Sequence, residues 1–153
     1  MSELQCLLTL LDEAFERKAW HGPNLRAALR GVSASQAAWR PEPGRHNIWE
    51  LVVHAAYWKY VVRRRITGGK RASFPLAGSN WFACPAAPDE TSWKKTKALL
   101  ASEHAQLKEV AAGLRAPDAA TLRLVRGAAS HDLYHAGQIQ LLKRLCPERS
   151  HAE

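Results

Sequence analysis

Apolar residues recur at three- and four-residue intervals along most of the chain, and capping or breaking residues bound each run, so the pattern predicts helices throughout. In the first run Leu4, Leu7, Leu8, Leu11 and Phe15 share a face between Glu3, Asp12, Glu13 and Glu16, from Ser2, a candidate cap, to about Lys18. Gly22-Pro23 interrupts it, and Pro23 suits the first turn of a short helix through Leu25 and Leu29 that Gly31 ends. Ser33 to Trp39 fits one further helical turn before Pro41, Pro43 and Gly44 enforce a loop. Asn47, with Glu50 three positions later, resembles a capping box and opens a long helix to Thr67, stopped by Gly68-Gly69. Leu51, His54, Trp58, Val61 and Arg65 fall on one side of it, which points His54 inward.

Residues 70–88 hold Pro75, Gly78, Pro85 and Pro88 with scattered aromatics, a composition that suits an irregular crossover lying over a site. Asp89 is a plausible cap for a helix to about Gly113, with Trp93, Ala98, Leu100, Leu107 and Val110 as its apolar positions. After the Ala116-Pro117-Asp118 turn, a last helix from about Ala119 to Leu145, ended by Pro147, places Leu124, Ala128, His131, His135, Ile139 and Leu142 along one stripe. Four long helices without an alternating strand indicate an all-α fold, a four-helix bundle with a long crossover between the second and third long helices. At 153 residues the expectation is a single domain over residues 1–147 with a frayed tail at 148–153.

Two histidines inside the last stripe change the picture. His131 and His135 stand one turn apart on one face, where two ring nitrogens reach a common ion, and His54 on a facing helix supplies a third. Three neutral imidazoles suit Zn, Ni, Fe, Mn or Co, and three ligands leave a coordination position open, as catalytic metals require. The duller alternative is a set of core-edge imidazoles satisfied by ordinary hydrogen bonds. Around them, Asp132 either orients an imidazole as an acceptor or faces solvent. Glu50 serves as a cap or, one turn before His54, as a general base. Gln138, one turn after His135, is available to a ligand or a neighbouring helix. Tyr57, Trp58 and Tyr134 either wall a pocket or pack as plain core. His46 precedes a helix start within reach of the site mouth, whereas His21, His104 and His151 belong to no apolar stripe; none of these four is read as a ligand.

Composition narrows the classes. With 46% hydrophobic and 24% charged residues the chain is globular in type, and no apolar run approaches the roughly 18 residues of a membrane span. The start of the chain carries Glu3 and no basic run, so the cytoplasm is the expected location. Cys6, Cys84 and Cys146 are odd in number and lack CxxC spacing, which argues against disulfides and a Cys-based zinc site. The net charge of +8 brings nucleic acid into consideration. Its clusters, Arg63-Arg64-Arg65 above all, fall where cations complement a helix end, and no finger or RNP-type motif accompanies them, so nucleic acid is not the expected partner. A small-molecule substrate, attracted by this charge if it is anionic, is the better match.

The stretch Leu29-Arg30-Gly31-Val32-Ser33 with Gln36 and Trp39-Arg40-Pro41, then Ile48 to His54, then His131-Asp132-Leu133-Tyr134-His135-Ala136-Gly137-Gln138-Ile139, resembles the DinB/YfiT-like superfamily. The resemblance spans most of the chain. It implies an up-down-down-up four-helix bundle, a divalent metal held by His54, His131 and His135, and frequent homodimers. Relatives of that kind include metal-dependent thiol transferases and isomerases that use low-molecular-weight thiols, alongside members with no assigned activity. The expected function is therefore a metal-dependent S-transferase working with such a thiol, or a related hydrolase. The alternative is a non-catalytic stress-response bundle that binds a metal or a small molecule.

Overall fold

The computed structural model describes residues 1–71 and 73–147; the expected frayed tail and His151 lie outside them. Six helices occur in the order α1 (Glu3–Phe15), α2 (Leu25–Ala28), α3 (Ala34–Ala38), α4 (Ile48–Thr67), α5 (Glu90–Ala112) and α6 (Ala119–Leu145). The described residues contain no strand.

Each helix start is fixed by a short polar side chain that accepts from an otherwise unpaired backbone N–H. Ser2 and Ser33 form full capping boxes with Gln5 and Gln36, while Asn24, Asp89 and Asp118 cap α2, α5 and α6. Asn47 caps α4 by accepting from the Glu50 N–H. The expected return bond from Glu50 does not form, because its carboxylate is committed to Arg40. Gly68, at φ 67°, closes α4 in the left-handed conformation that only glycine adopts without strain, and its N–H reaches the Arg64 carbonyl. Pro147 stops α6 one residue beyond Cys146.

Burial corrects two of the expected faces. In α6 Ala128, His135, Ile139 and Leu142 of the expected stripe are buried while Leu124 and His131 are only half-buried, and the buried face extends to Val125, Ala129, Asp132 and Ala136. In α5 the seam is Trp93, Leu100, Glu103, His104, Leu107 and Ala111, and Ala98 is exposed. Polar residues within both buried faces hid their full extent from a reading by hydrophobicity alone. In α4 the buried side wraps fully round from Ile48 to Ala56.

The apolar interior has two parts. One gathers Phe15, Leu25, Trp49, Val52, Trp93, Leu100, Ile139 and Leu142. The other gathers Leu7, Leu11, Val62, Leu107, Val125 and Ala129. Between these levels α4, α5 and α6 turn polar side chains inward: Lys59, His104 and Asp132 are all at most 2% exposed. The segment from Gly68 to Asp89 connects α4 to α5 without a helix or strand among its described residues. It lays Phe74 and Phe82 against Tyr57, with ring centroids 5.3 and 5.4 Å apart, which gives Tyr57 a packing role away from the histidines.

Candidate metal centre

The inward phase of α4 at His54, and the one-turn spacing of His131 and His135 on α6, bring three imidazoles together edge to edge. His131 Nε2 lies 3.2 Å from His54 Nε2 and 3.0 Å from His135 Nε2. Ligand atoms of a tetrahedral ion held at about 2.0–2.1 Å stand about 3.3 Å apart, so the triangle already has nearly the dimensions of a coordination face. His54 and His135 are buried and His131 is half-buried, the most exposed of the three.

The far nitrogens of two rings decide where the lone pairs point. His54 Nδ1–H donates to the Asn80 carbonyl at 2.8 Å, and His135 Nδ1–H donates to Gln138 Oε1 at 2.6 Å. A carbonyl can only accept, so in the neutral rings each Nε2 carries a lone pair aimed at the cluster. Burial keeps the rings neutral. It pushes His131 down to about 3, helped by the two neighbouring imidazoles and Lys59. It pushes His135 down to about 4 against the opposing hydrogen bond to Gln138, and it lowers His54 against the bond to Asn80. The single ring proton of neutral His131 can serve at most one of the two lone pairs turned toward it, and a cation in its place would satisfy all three nitrogens at once. The donor set therefore fits a divalent metal, and His54, His131 and His135 could hold one.

The crossover supplies what the sequence reading missed. Asn80 sits at φ 63°, a left-handed conformation that asparagine tolerates better than most residues. There its carbonyl fixes His54 while its side-chain oxygen accepts from Trp58 Nε1 at 2.9 Å. Trp81 is stacked between His54 (3.9 Å) and His46 (3.6 Å), so His46 does reach the site mouth without joining the triad. Trp58 meets the His54 and His131 rings edge-on at 6.3 and 6.4 Å, and the largely exposed Tyr134 meets His135 at 5.2 Å. The legible signal was the Gly78-Ser79-Asn80-Trp81 sequence, a turn-forming tripeptide followed by an aromatic in a long connection.

Of the supporting residues proposed from sequence, Gln138 touches a triad imidazole and the other two do not. Glu50 is buried one turn below His54 but binds Arg40, His46 Nδ1 at 3.0 Å and the Cys84 N–H. Burial alone would raise its carboxyl; the bonds from Arg40, His46 and Cys84 outweigh that and hold it down at about 2, a fixed anion. Asp132 is wholly buried, neither solvent-facing nor bound to an imidazole: its Oδ2 accepts from the Lys59 ammonium. Lys59 in turn donates to His104 Nδ1 at 3.2 Å, and His104 is stacked on Phe15 at 3.8 Å. His104, set aside in the sequence reading, is thus a core residue. A second group, Asp12, Glu16 and His104, also gathers within ligand distance. Its carboxylates already face Lys108 at 2.6 and 3.7 Å, and Arg26 at 3.2 Å from Glu16, so it is a self-neutralised ion-pair group.

Fold and site together define a helical protein with a buried three-imidazole centre. The DinB superfamily matches residues 18–141, a span that includes all three histidines, and the chain belongs to that superfamily. No curated protein and no solved structure matches it. No helix among the described residues is long and apolar enough to cross a membrane.

Proposed function

We propose that this DinB-superfamily protein is a metal-dependent enzyme, with His54, His131 and His135 as ligands to Zn, Ni, Fe, Mn or Co, acting as a thiol-dependent S-transferase or a related hydrolase. The observation that carries the reading is the convergence of three neutral Nε2 atoms, two of them oriented by fixed acceptors on Nδ1. When bound, such a metal lowers the pKa of a coordinated thiol or water and holds the resulting nucleophile.

The chain's own residues set the conditions. Asn80 and Gln138 hold the Nδ1 protons and so keep the lone pairs directed inward. Trp58, Trp81 and Tyr134 shield the rings and leave approach from the His131 side, where a small substrate enters. Glu50 stays ionised at neutral pH and anchors His46 under Trp81, a role in shaping the mouth rather than in transferring protons.

In the same reading the four long helices form an up-down-down-up bundle. Trp49 meets Trp93 near the start of α4 and α5, and Arg63 meets Glu103 farther along both, as parallel neighbours do. His54 faces His135 while Val62 packs in one cluster with Val125, as antiparallel neighbours do. Tyr134, Leu141 and Leu145 give α6 an exposed apolar stripe suited to a homodimer.

The test is metal analysis of the purified protein and of H54A, H131A and H135A, with a screen of low-molecular-weight thiols against electrophiles run on the loaded forms. One metal per chain, lost in each variant together with thiol transfer or hydrolysis, is expected. Stoichiometric metal surviving any one substitution overturns the ligand set. Metal binding without turnover favours the non-catalytic binding bundle.

A further inference from the structure

The pair formed by Lys59 and Asp132 is the most deeply buried ionic contact of the protein's described residues, with side-chain exposures of 2% and 0%. Removing two charges from water costs more than their attraction commonly returns, and apolar replacements of similar volume are often neutral or stabilising. A pair kept at such a place calls for a reason other than stability.

Its position supplies one. Asp132 follows His131 directly and precedes His135 by one turn, so it shares with the two imidazoles the few residues of α6 that must keep a fixed rotation. Lys59 follows His54 by five residues, about 7.5 Å along the axis of α4. The two helices that carry the triad are thus tied by a directional bond one to two turns from the point where their histidines meet. Lys59 is itself confined: its ammonium donates to His104 of α5 at 3.2 Å and lies 4.9 Å from the centre of the Phe15 ring of α1. Phe15 stacks on His104, so each of the four long helices contributes one side chain to this knot. Apolar packing tolerates small slides and rotations between helices, whereas a carboxylate bound to a threefold donor does not tolerate them without losing the bond.

We propose that Lys59 and Asp132 are positioning residues for the three-imidazole centre, fixing the register and rotation of α4 against α6 so that His54 meets His131 and His135 at ligand distance. The inference rests on the metal reading above. The net charge of the pair is zero, so replacing both members leaves the net charge of the protein unchanged.

The experiment is cobalt(II) titration of the full chain, followed by the ligand-field spectrum, in wild type and in the K59M/D132L double variant, with circular dichroism to establish that the variant is folded. The positioning role predicts a folded double variant whose cobalt affinity is lower by about tenfold or more, with an altered spectrum, although all three histidines are present. Wild-type affinity and spectrum in the folded double variant would overturn the positioning role alone. Absence of cobalt binding by wild type would overturn the metal reading and the positioning role with it. Should K59M/D132L not fold, K59M/D132N, which removes both charges and the directional bond while keeping a polar side chain at 132, carries the test: a loss of about threefold or more supports the role and an unchanged affinity overturns it.

Discussion

Two buried polar groups share α4 and α6 and satisfy their atoms in opposite ways. In the knot around Lys59, charge meets charge: Lys59 faces Asp132 and donates to His104, and Arg63 faces Glu103 at 3.1 Å nearby. In the triad no charge meets another: three neutral imidazoles gather, with the Nε2 lone pairs of His54 and His135 both turned toward His131 Nε2. The first group balances its charges within the chain, although Asp132 Oδ1 and His104 Nε2 lie buried without a hydrogen-bond partner; the second is a group that a cation could complete. A helical interior therefore accepts polar side chains on two terms, internal compensation or shared demand for a ligand, and only the second marks a binding centre. The distinction also separates the triad from Asp12, Glu16 and His104, whose similar ligand-like spacing is already answered by lysine and arginine.

The contrast predicts that damage to the knot is felt in folding and, through helix register, in binding, whereas damage to the triad is felt in binding. Lys59→Met leaves the Asp132 carboxylate buried without its cation and should destabilise the protein by about 3–5 kcal/mol in denaturant unfolding, with most of that loss recovered when Asp132→Leu is added. Recovery of less than half would place the pair among ordinary stabilising contacts. Excess metal at a hundredfold over its Kd should raise the stability of wild type by about 2.7 kcal/mol and leave H131A unmoved. An equal rise in both would remove the difference between the two groups.

Acid sharpens the comparison at His104. Burial, with Lys59 on one side and Lys108 on the other, holds its imidazole down at about 3, while Asp12 and Glu16 of α1 complete its charged surroundings. Below pH 6.5 the unfolded chain takes up a proton at this residue that the folded chain refuses. Its contribution is thus fully present above 6.5 and is lost progressively as pH falls toward 3, at no more than about 1.4 kcal/mol per pH unit. Unfolding free energies measured at pH 7, 6 and 5 should fall less steeply in H104Q than in wild type; parallel slopes would show that His104 is protonated in the fold.

The outlines of this molecule were readable without coordinates because period, caps and breakers agree with one another. Ser2, Ser33, Asn47 and Asp89 each begin a helix, and Gly68 and Pro147 end two. His131 and His135 were readable because one-turn spacing is a local property, and His54 because its register on α4 points inward. The rest depended on contacts distant in sequence. Nothing near Lys59 indicates that it lies inside, since its partner is 73 residues away and a lysine on a helix is ordinarily solvated. Asp132 and His104 misled for the same reason, and their polarity hid part of the buried faces of α5 and α6. Trp81 and Asn80 belong to a loop whose path no periodicity encodes, so their stacking and hydrogen bonds on His54 emerge only when the chain is folded.

The smallest effects distinguish the two acceptors that orient the triad. Gln138 acts through its side chain and Asn80 through its backbone carbonyl, so substitution can delete the first and not the second. Gln138→Ala frees His135 to rotate or to move its proton to Nε2, and metal affinity should fall by about tenfold, at the lower end for a residue supporting a ligand. Asn80→Gly keeps the carbonyl and the left-handed conformation while losing only the bond to Trp58. Its effect on affinity should stay within about threefold, because the proton on His54 Nδ1 is still held. Asn80→Ala should be the worse of the two Asn80 variants by about 1 kcal/mol in stability, since a Cβ opposes the left-handed backbone there. Isothermal titration with zinc across the three variants ranks them, and an Asn80→Gly loss as large as that of Gln138→Ala would mean that Trp58 and its hydrogen bond, rather than the Asn80 carbonyl, orient His54.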